Sequence, residues 1–523
     1  MRPIKLKFLT RSPFHFLFIL LVLVVVAGCK NDDEPPGEST FEVLSMEVTQ
    51  NPSGIAPLTA LIELTTSHNT SASITVLGDR PITKNFEARG QDHSLPVIGL
   101  YPDQVNQVVL TLTNNSGESL SDTISLTTGP LPDYLPEVNI VEKREEAMEE
   151  GWNFLMCNIG RGADGFFTSP LMFDEDGAIR WYLIGEEEFS GGAGPFEPMR
   201  NGNLLAATSR WIIEYNMLGE KVNIWTMAPN YNFHHDLVEK PNGNFVVAVD
   251  DNNLNTVEDI AIEIDRVTSA EVARWDLRQI LDMSRMDLIQ DEVDWFHMNA
   301  IWYDEQDDAL IFSGRNQGLV KVSADNELIW ILSPHKGWGQ AGINGDGFDT
   351  KDFLLTAVDG SNAPFAEEVQ LGTQAIPDFD WTWGQHAPMI LDNRNIFVFD
   401  NGFNRNFNPA GTHSRGVEYR IDEENMTVQE VWQSGKERGT AFQSRILSDV
   451  DVMPQTGNRI VFAGIHLGQR MSQLIEVTYP NNETVFEAQI VYKYAFIPPN
   501  SPLAPGYIDA SFRAERMDPY TGY

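Results

Sequence analysis

The stretch IAIEIDRVTSAEVARW, residues 260–275, decides how this chain folds. An alternating apolar strand runs into a polar turn, and a second strand follows that ends on Trp275, the pattern of two antiparallel strands. The same signature recurs as LMFDEDGAIRW (171–181), IIEYNMLGEKVNIW (212–225), LVKVSADNELIW (319–330) and VEYRIDEENMTVQEVW (417–432), then with Phe486 closing LIEVTYPNNETVF (474–486). Trp181, Trp225, Trp275 and Trp330 follow one another at about 45–55 residues, the period of a repeat architecture. The wider gap before Trp432 is taken up by an insertion at residues 336–382. Six all-β units of this length, each of about four strands, predict a six-bladed β-propeller over residues 137–523. A solenoid of hairpins, the other repeat solution, accommodates so large an internal insertion poorly.

In a propeller the first strand of each unit lines a central channel. Three such strands carry a histidine at an equivalent place: His235 in NFHHDLVEKPNGNFVVAV, His297 in WFHMNAIWYDEQDDALIFSGR and His386 in GQHAPMILDNRNIFVFDNG. Blades three, four and five are therefore expected to set imidazoles near one mouth of the channel. The matching places in other units hold Phe196-Glu197 and Ser448-Asp449. Strand alternation puts His234 and His235 on opposite faces, so one of them enters the channel, and it puts His297 and Asn299 on the same face. The register to Asn244 and Asn395 favours His235, whereas pairing Asp236 with Asn299 favours His234. Arg315 closes the second copy at a strand end, where a lone arginine is commonly a surface ion pair. A cluster of imidazoles with one guanidinium suits chemistry on a small oxyanion.

The rest of the chain sets limits. Residues 1–28 read as a lipoprotein signal peptide: Arg2, Lys5, Lys7 and Arg11 precede the apolar run Phe14–Val26, and Val26-Ala27-Gly28-Cys29 has the small residues of a cleavage site. Cys29 is then the lipidated N-terminus, and residues 29–40 a flexible acidic tether. Residues 41–130, with short alternating runs and turn residues, predict a small immunoglobulin-like β-sandwich. Its His68 and His93 sit in polar, loop-like contexts, and the prolines of GPLPDYLPEV mark a linker. The formal charge of −39, with no basic stripe, excludes a nucleic-acid partner. An anionic substrate would need a local cationic pocket. Only Cys157 remains beyond Cys29, so no disulfide within the mature chain is expected.

Three histidines also raise the question of metal. Zinc or iron would accept such ligands, with Asp236, Asp400 or Asp449 completing a set, yet there is no HxH pair on one strand and no HExxH. The acidic run NGDGFDTKD (344–352) fails the calcium-loop spacing. His335, His413 and His466 read as structural or surface residues. We expect no metal and no cofactor.

The runs HHDLVEKPNGN, DWFHMNAIWYDEQDDALIFSGRNQGLVKV, WGQHAP with FVFDNG, and SDVDVMPQTGN together resemble the bacterial aryl-sulfate sulfotransferases over most of residues 140–515. That resemblance implies an N-terminal β-sandwich before a six-bladed propeller. It implies transfer of a sulfuryl group from a phenolic sulfate ester to a phenolic acceptor by ping-pong chemistry. It maps a transiently sulfated histidine onto His386, and the supporting catalytic residues onto His297, Arg315 and His234 or His235, with Asn299 binding substrate. The absence of a disulfide departs from the family pattern. Phe166, Phe167, Tyr507 and Phe512 are candidates to hold the aryl ring. The expected location is the bacterial cell envelope, periplasmic or at the outer-membrane surface, with membrane contact through the lipid anchor alone; a homodimer is compatible with this reading. Two other readings stand beside it: a non-catalytic propeller binding a carbohydrate or protein partner, and a metal-dependent sulfatase or lyase.

Overall fold

The computed structural model describes residues 41–160, 166–288, 291–408, 411–466, 469–493 and 509–523. The leader, the tether, Cys29 and Tyr507 lie outside the described residues.

The chain begins with five antiparallel strands in one hydrogen-bonded sheet, Val43–Gln50, Thr59–Val76, Ile82–Ile98, Val105–Asn114 and Ser119–Thr127. The long strand Thr59–Val76 pairs with Val43–Gln50 through its first half and with Val105–Asn114 through its second, changing neighbour between Thr66 and Thr70. Its alternation buries Ala60, Ile62, Leu64, Ala72, Ile74 and Val76 in one core with Leu95, Val97, Val108, Leu110 and Leu112. That core is continuous with Leu155, Leu171, Phe173 and Tyr182 of the following domain. The junction is polar as well. The fully buried Arg180 lies 3.5 Å over the Tyr101 ring and donates to the Gly99 carbonyl at 2.6 and 3.0 Å.

Six sheets of four or five strands follow, the blades of the propeller. Blade 1 holds Trp152–Gly160, Phe166–Phe173 and Ile179–Tyr182, and its innermost strand is Ala510–Met517 from the far end of the chain. Blades 2, 3 and 4 are uninterrupted four-strand meanders beginning at Gly194–Pro198, Tyr231–Glu239 and Met298–Asp304. Blade 5 begins at His386–Ile390 and blade 6 at Asp449–Val452. The strand Glu137–Lys143, just after the Pro-rich linker, joins blade 6 as its outer edge. Both ends of the domain are thus tied to its last and first blades, which closes the ring. The inner strands neighbour one another in sequence order around the channel.

The repeated tryptophans explain why the units need one another. Trp181, Trp225 and Trp275 donate from Nε1 to the carbonyls of Met217, Arg266 and Ser323, at 2.7, 2.7 and 2.9 Å. Trp330 donates to Glu423 at 2.9 Å. Each tryptophan ends one blade and reaches a turn of the next. Trp432 continues the series by packing its ring against Tyr479 of blade 6. The insertion before blade 5 adds the short strand Thr356–Ala357, parallel to the outer strand Thr427–Ser434, and buries Phe379, Trp381 and Trp383.

Candidate active site

Each of the inner strands of blades 2 to 6 carries a non-glycine residue with positive φ within it or just before it. Phe196, His235, His297, Ala387 and Leu447 have φ of 58°, 50°, 58°, 49° and 61°, and Ser448 has 93°. L-residues rarely occupy this region, and here it comes with breaks in the ladder between Pro195 and Glu197, Phe233 and Leu237, and His386 and Met389. The kink re-aims side chains that a regular strand would alternate.

Both alternation arguments fail for this reason. His234 and His235 do not diverge: their ring centroids lie 4.0 Å apart, and both Nε2 atoms face Glu258, at 2.7 Å from Oε1 and 3.5 Å from Oε2. His297 precedes its strand in the left-handed conformation, so the rule that placed it beside Asn299 does not apply. His386 sits one residue before its kink, whereas His235 and His297 are at theirs.

The structure gathers His234, His235, His297, His386 and Arg315 at one end of the channel. His235 and His297 have centroids 5.1 Å apart, and Phe512 of the closing strand stacks on His235 at 5.8 Å. Nδ1–H of His297 donates to Asp294 at 2.6 Å and lies 2.9 Å from Glu258. Nδ1–H of His386 donates to Asn401 Oδ1 at 2.8 Å, while its Nε2 accepts from the Leu447 N–H at 3.2 Å. Arg315 is not a surface ion pair. Its guanidinium lies 4.4 Å from the centroid of the Phe403 ring, and its Nε has no hydrogen-bond partner among the described residues. Asn299 is 1% exposed and donates its amide to the Gln385 carbonyl at 2.8 Å, supporting the segment that carries His386.

The electrostatics split the histidines. Burial pushes His386 well below the ordinary imidazole value, helped by the charge of Arg315, so it is neutral. Burial and the charge of His234 take His235 down to about 3. Burial also opposes charge on His297, but hydrogen bonds to Asp294 and Glu258 outweigh it and raise that imidazole to about 9. Burial opposes charge on Glu258 too, yet the three histidines around it hold its carboxyl far below the usual range. A neutral imidazole and an imidazolium therefore share one pocket.

Glu258, Asp294 and Asn401 were not singled out by sequence. Asp294 lies three residues before His297, and Asn401 directly follows the strand paired with that of His386, in FDNG. Glu258 gave no signal at all, because VED in a connecting loop reads as solvated surface. His335 donates from Nε2 to the Leu355 carbonyl at 2.9 Å, and His413 and His466 are buried, so all three are structural. Phe167 is core, packed edge-on to Tyr134. Two sets, His234 with His235 and Glu258, and Glu258 with Asp294 and His297, keep their ligand atoms within 4.8 Å and are where a metal ion could be held.

Residues 137–497 match the family model described as arylsulfotransferase, and residues 47–129 match the arylsulfotransferase Ig-like domain. Proteins named arylsulfate sulfotransferase from Lelliottia amnigena and Escherichia coli O6:H1 are each 26% identical, over 547 and 548 residues, covering 85% of this chain and 90% of theirs. Among solved structures, a putative 6-phosphogluconolactonase from Bacteroides uniformis aligns over 86% of this chain and 100% of its own at 9% identity, with a TM-score of 0.33 that carries no weight here. The match over the whole propeller up to residue 497, with the Ig-like domain matched before it, makes this chain a member of the arylsulfotransferase family.

Proposed function

We propose that this enzyme moves a sulfuryl group from a phenolic sulfate ester to a phenolic acceptor in two half-reactions through a sulfated His386. The observation that carries the reading is the pairing of a buried, neutral His386 with a protonated His297 beside the half-buried guanidinium of Arg315, whose Nε has no partner among the described residues. In the first half-reaction the lone pair of His386 attacks sulfur and the ester S–O bond breaks. The leaving phenolate takes a proton from Nε2–H of His297, whose Nδ1–H stays on the carboxylates. In the second, the acceptor phenol gives its proton to His297 and its oxygen attacks sulfur. The N–S bond then breaks, and its electrons return to His386. Arg315 offers hydrogen bonds to sulfuryl oxygens as charge shifts onto them, as positioned donors do in phosphoryl transfer, while the His234–His235 pair holds Glu258 against His297. Phe512, stacked on His235, is placed to meet the aryl ring.

The test is mass spectrometry after brief mixing with 4-nitrophenyl sulfate and no acceptor. We expect one added SO₃ on the His386 peptide, discharged by phenol and absent in His386→Asn. Prompt sulfate release without an adduct would make the enzyme a hydrolase instead. The two histidine–carboxylate sets favour a second reading, a metal-dependent sulfatase, because borderline metals take such ligands. Transfer that survives chelation in protein shown to be metal-free would eliminate it. The envelope location belongs to the same proposal and rests on Cys29: Cys29→Ser is expected to move the protein from the membrane fraction to the soluble one.

A further inference from the structure

We propose that Asn401 is the positioning residue of the nucleophile, one amide that fixes which nitrogen of His386 carries the proton and which backbone N–H faces the other nitrogen. The inference rests on the reading of His386 as the sulfated residue and goes beyond it. Asn401 is fully buried at the end of the strand Ile396–Asp400. Its Nδ2 donates to two carbonyls, Ser444 at 2.8 Å and Leu447 at 2.9 Å. A carbonyl oxygen accepts and never donates, so these two bonds forbid the flipped amide. Oδ1 is therefore the atom that meets His386 Nδ1, at 2.8 Å, and it can only accept; the Gly384 carbonyl is a second, longer acceptor for the same Nδ1–H, at 3.2 Å. The proton of the neutral imidazole is held on Nδ1, and the lone pair is left on Nε2.

The same two carbonyls belong to the segment that supplies the next contact. Leu447 and Ser448 are both held at positive φ, 61° and 93°, a conformation that needs outside support. That support comes from Asn401 and from Ser444, whose Oγ accepts from Ser448 Oγ at 2.8 Å. Held this way, the Leu447 N–H points at His386 Nε2 at 3.2 Å. Once Nε2 bonds to sulfur it no longer accepts, and this N–H becomes a donor for a sulfuryl oxygen. No atom is added or lost: Nδ1 keeps its proton throughout, and the imidazole becomes cationic while it carries the sulfonate. A carboxylate at this position would also take the Nδ1 proton, but it would draw a second proton onto Nε2 at neutral pH and block attack. The neutral amide avoids that.

The experiment uses the full chain labelled with ¹⁵N-histidine. Long-range ¹⁵N–¹H correlation separates the two neutral tautomers, and the His386 signals are assigned by their loss in His386→Asn. Sulfation by 4-nitrophenyl sulfate is timed in parallel. We expect the Nδ1–H tautomer in the native protein. In Asn401→Leu we expect a shift toward Nε2–H together with a fall in the sulfation rate of roughly 10²–10⁴, the scale of a lost tautomer lock in a catalytic histidine. In Asn401→Asp, which keeps the shape, we expect retention of Nδ1–H and a new acidic limb in kcat/KM near neutral pH. An Nε2–H tautomer in the native protein overturns the proposal, even if Asn401→Leu does not fold. So does an Asn401→Leu protein that loses rate with its tautomer unchanged. Native protein that shows Nδ1–H but forms no adduct would defeat the sulfotransfer reading instead, so the two failures are told apart.

Discussion

In the proposed reaction the acid that serves the leaving phenol is His297, held by a pair of carboxylates. With its imidazolium persisting to about pH 9 through Asp294 and Glu258, kcat/KM for the donor should be level through neutral pH and fall above about pH 9. Asp294→Asn removes the carboxylate charge 2.6 Å from Nδ1, and the limb should move down by about one pH unit. A limb that stays at the same pH in that variant would show that another group is the acid. The clustered histidines and Arg315 were legible because their recurrence at equivalent places of a repeat was visible in the chain. The residues that tune them were not. Asn401 and Glu258 are ordinary polar residues of turns and loops, and only the folded ring brings Glu258 of blade 3 against His297 of blade 4. Their role depends on long-range contact, which spacing along the chain does not encode.

At the scale of the element, period and turn chemistry were sufficient to count the blades, whereas the direction of side chains on the inner strands was not. The signature tryptophans carried the count because each is a joint between neighbouring blades. Trp275, with its ring 2% exposed and Nε1–H donated to Ser323, is a clear instance. Trp275→Phe keeps most of the packing and should cost about 1 kcal/mol for the lost hydrogen bond. Trp275→Ala should cost about 3–5 kcal/mol by opening a cavity between blades 3 and 4. Equal losses in chemical denaturation for the two variants would mean that the indole hydrogen bond, not the packing, holds the joint. The inner strands misled for a physical reason. Period-2 alternation holds only for extended backbone, and one left-handed residue, as at His235 or His297, turns the following side chains. Histidine is not a residue that announces such a turn as glycine does. The sequence therefore located the strand but not its kink, and the adjacent His234 and His235 were expected to part company when in fact they share Glu258.

The whole molecule closes through a strand that the repeat count did not assign to any blade, Ala510–Met517, and its Arg513 is the clasp. Arg513 pairs with Glu197 of blade 2 and with Asp236 of blade 3 at 2.7 Å, joining the chain's end to two early blades. Around it lies a channel cavity of about 250 Å³ lined by Glu197, Asp449, Asp451 and Glu515. One guanidinium faces several carboxylates there, and burial raises their pKa values: Asp451 to about 7, Asp449 and Glu515 well above the ordinary range, and Asp236 upward as well. A carboxyl whose folded value is raised binds more protons folded than unfolded between its two values. Its contribution to stability is whole at low pH and is lost as pH climbs from about 4 through the folded value. Carboxylates held low, such as Glu258, act in the opposite sense, but their contribution is complete above about pH 5 and only fails in stronger acid. His297 works in the same direction as the channel, losing its contribution as pH rises through about 9. Histidines buried neutral, such as His235, His386, His413 and His466, pull the other way below about pH 6.5, so the channel is read from the difference between the native protein and Asp451→Asn at pH 5.5 and pH 8. Asp451→Asn should raise the melting temperature at pH 8 more than at pH 5.5. Thermal unfolding followed by circular dichroism at the two pH values decides it. An Asp451→Asn protein that runs parallel to the native one would mean that the channel carboxylates are ionised and already compensated.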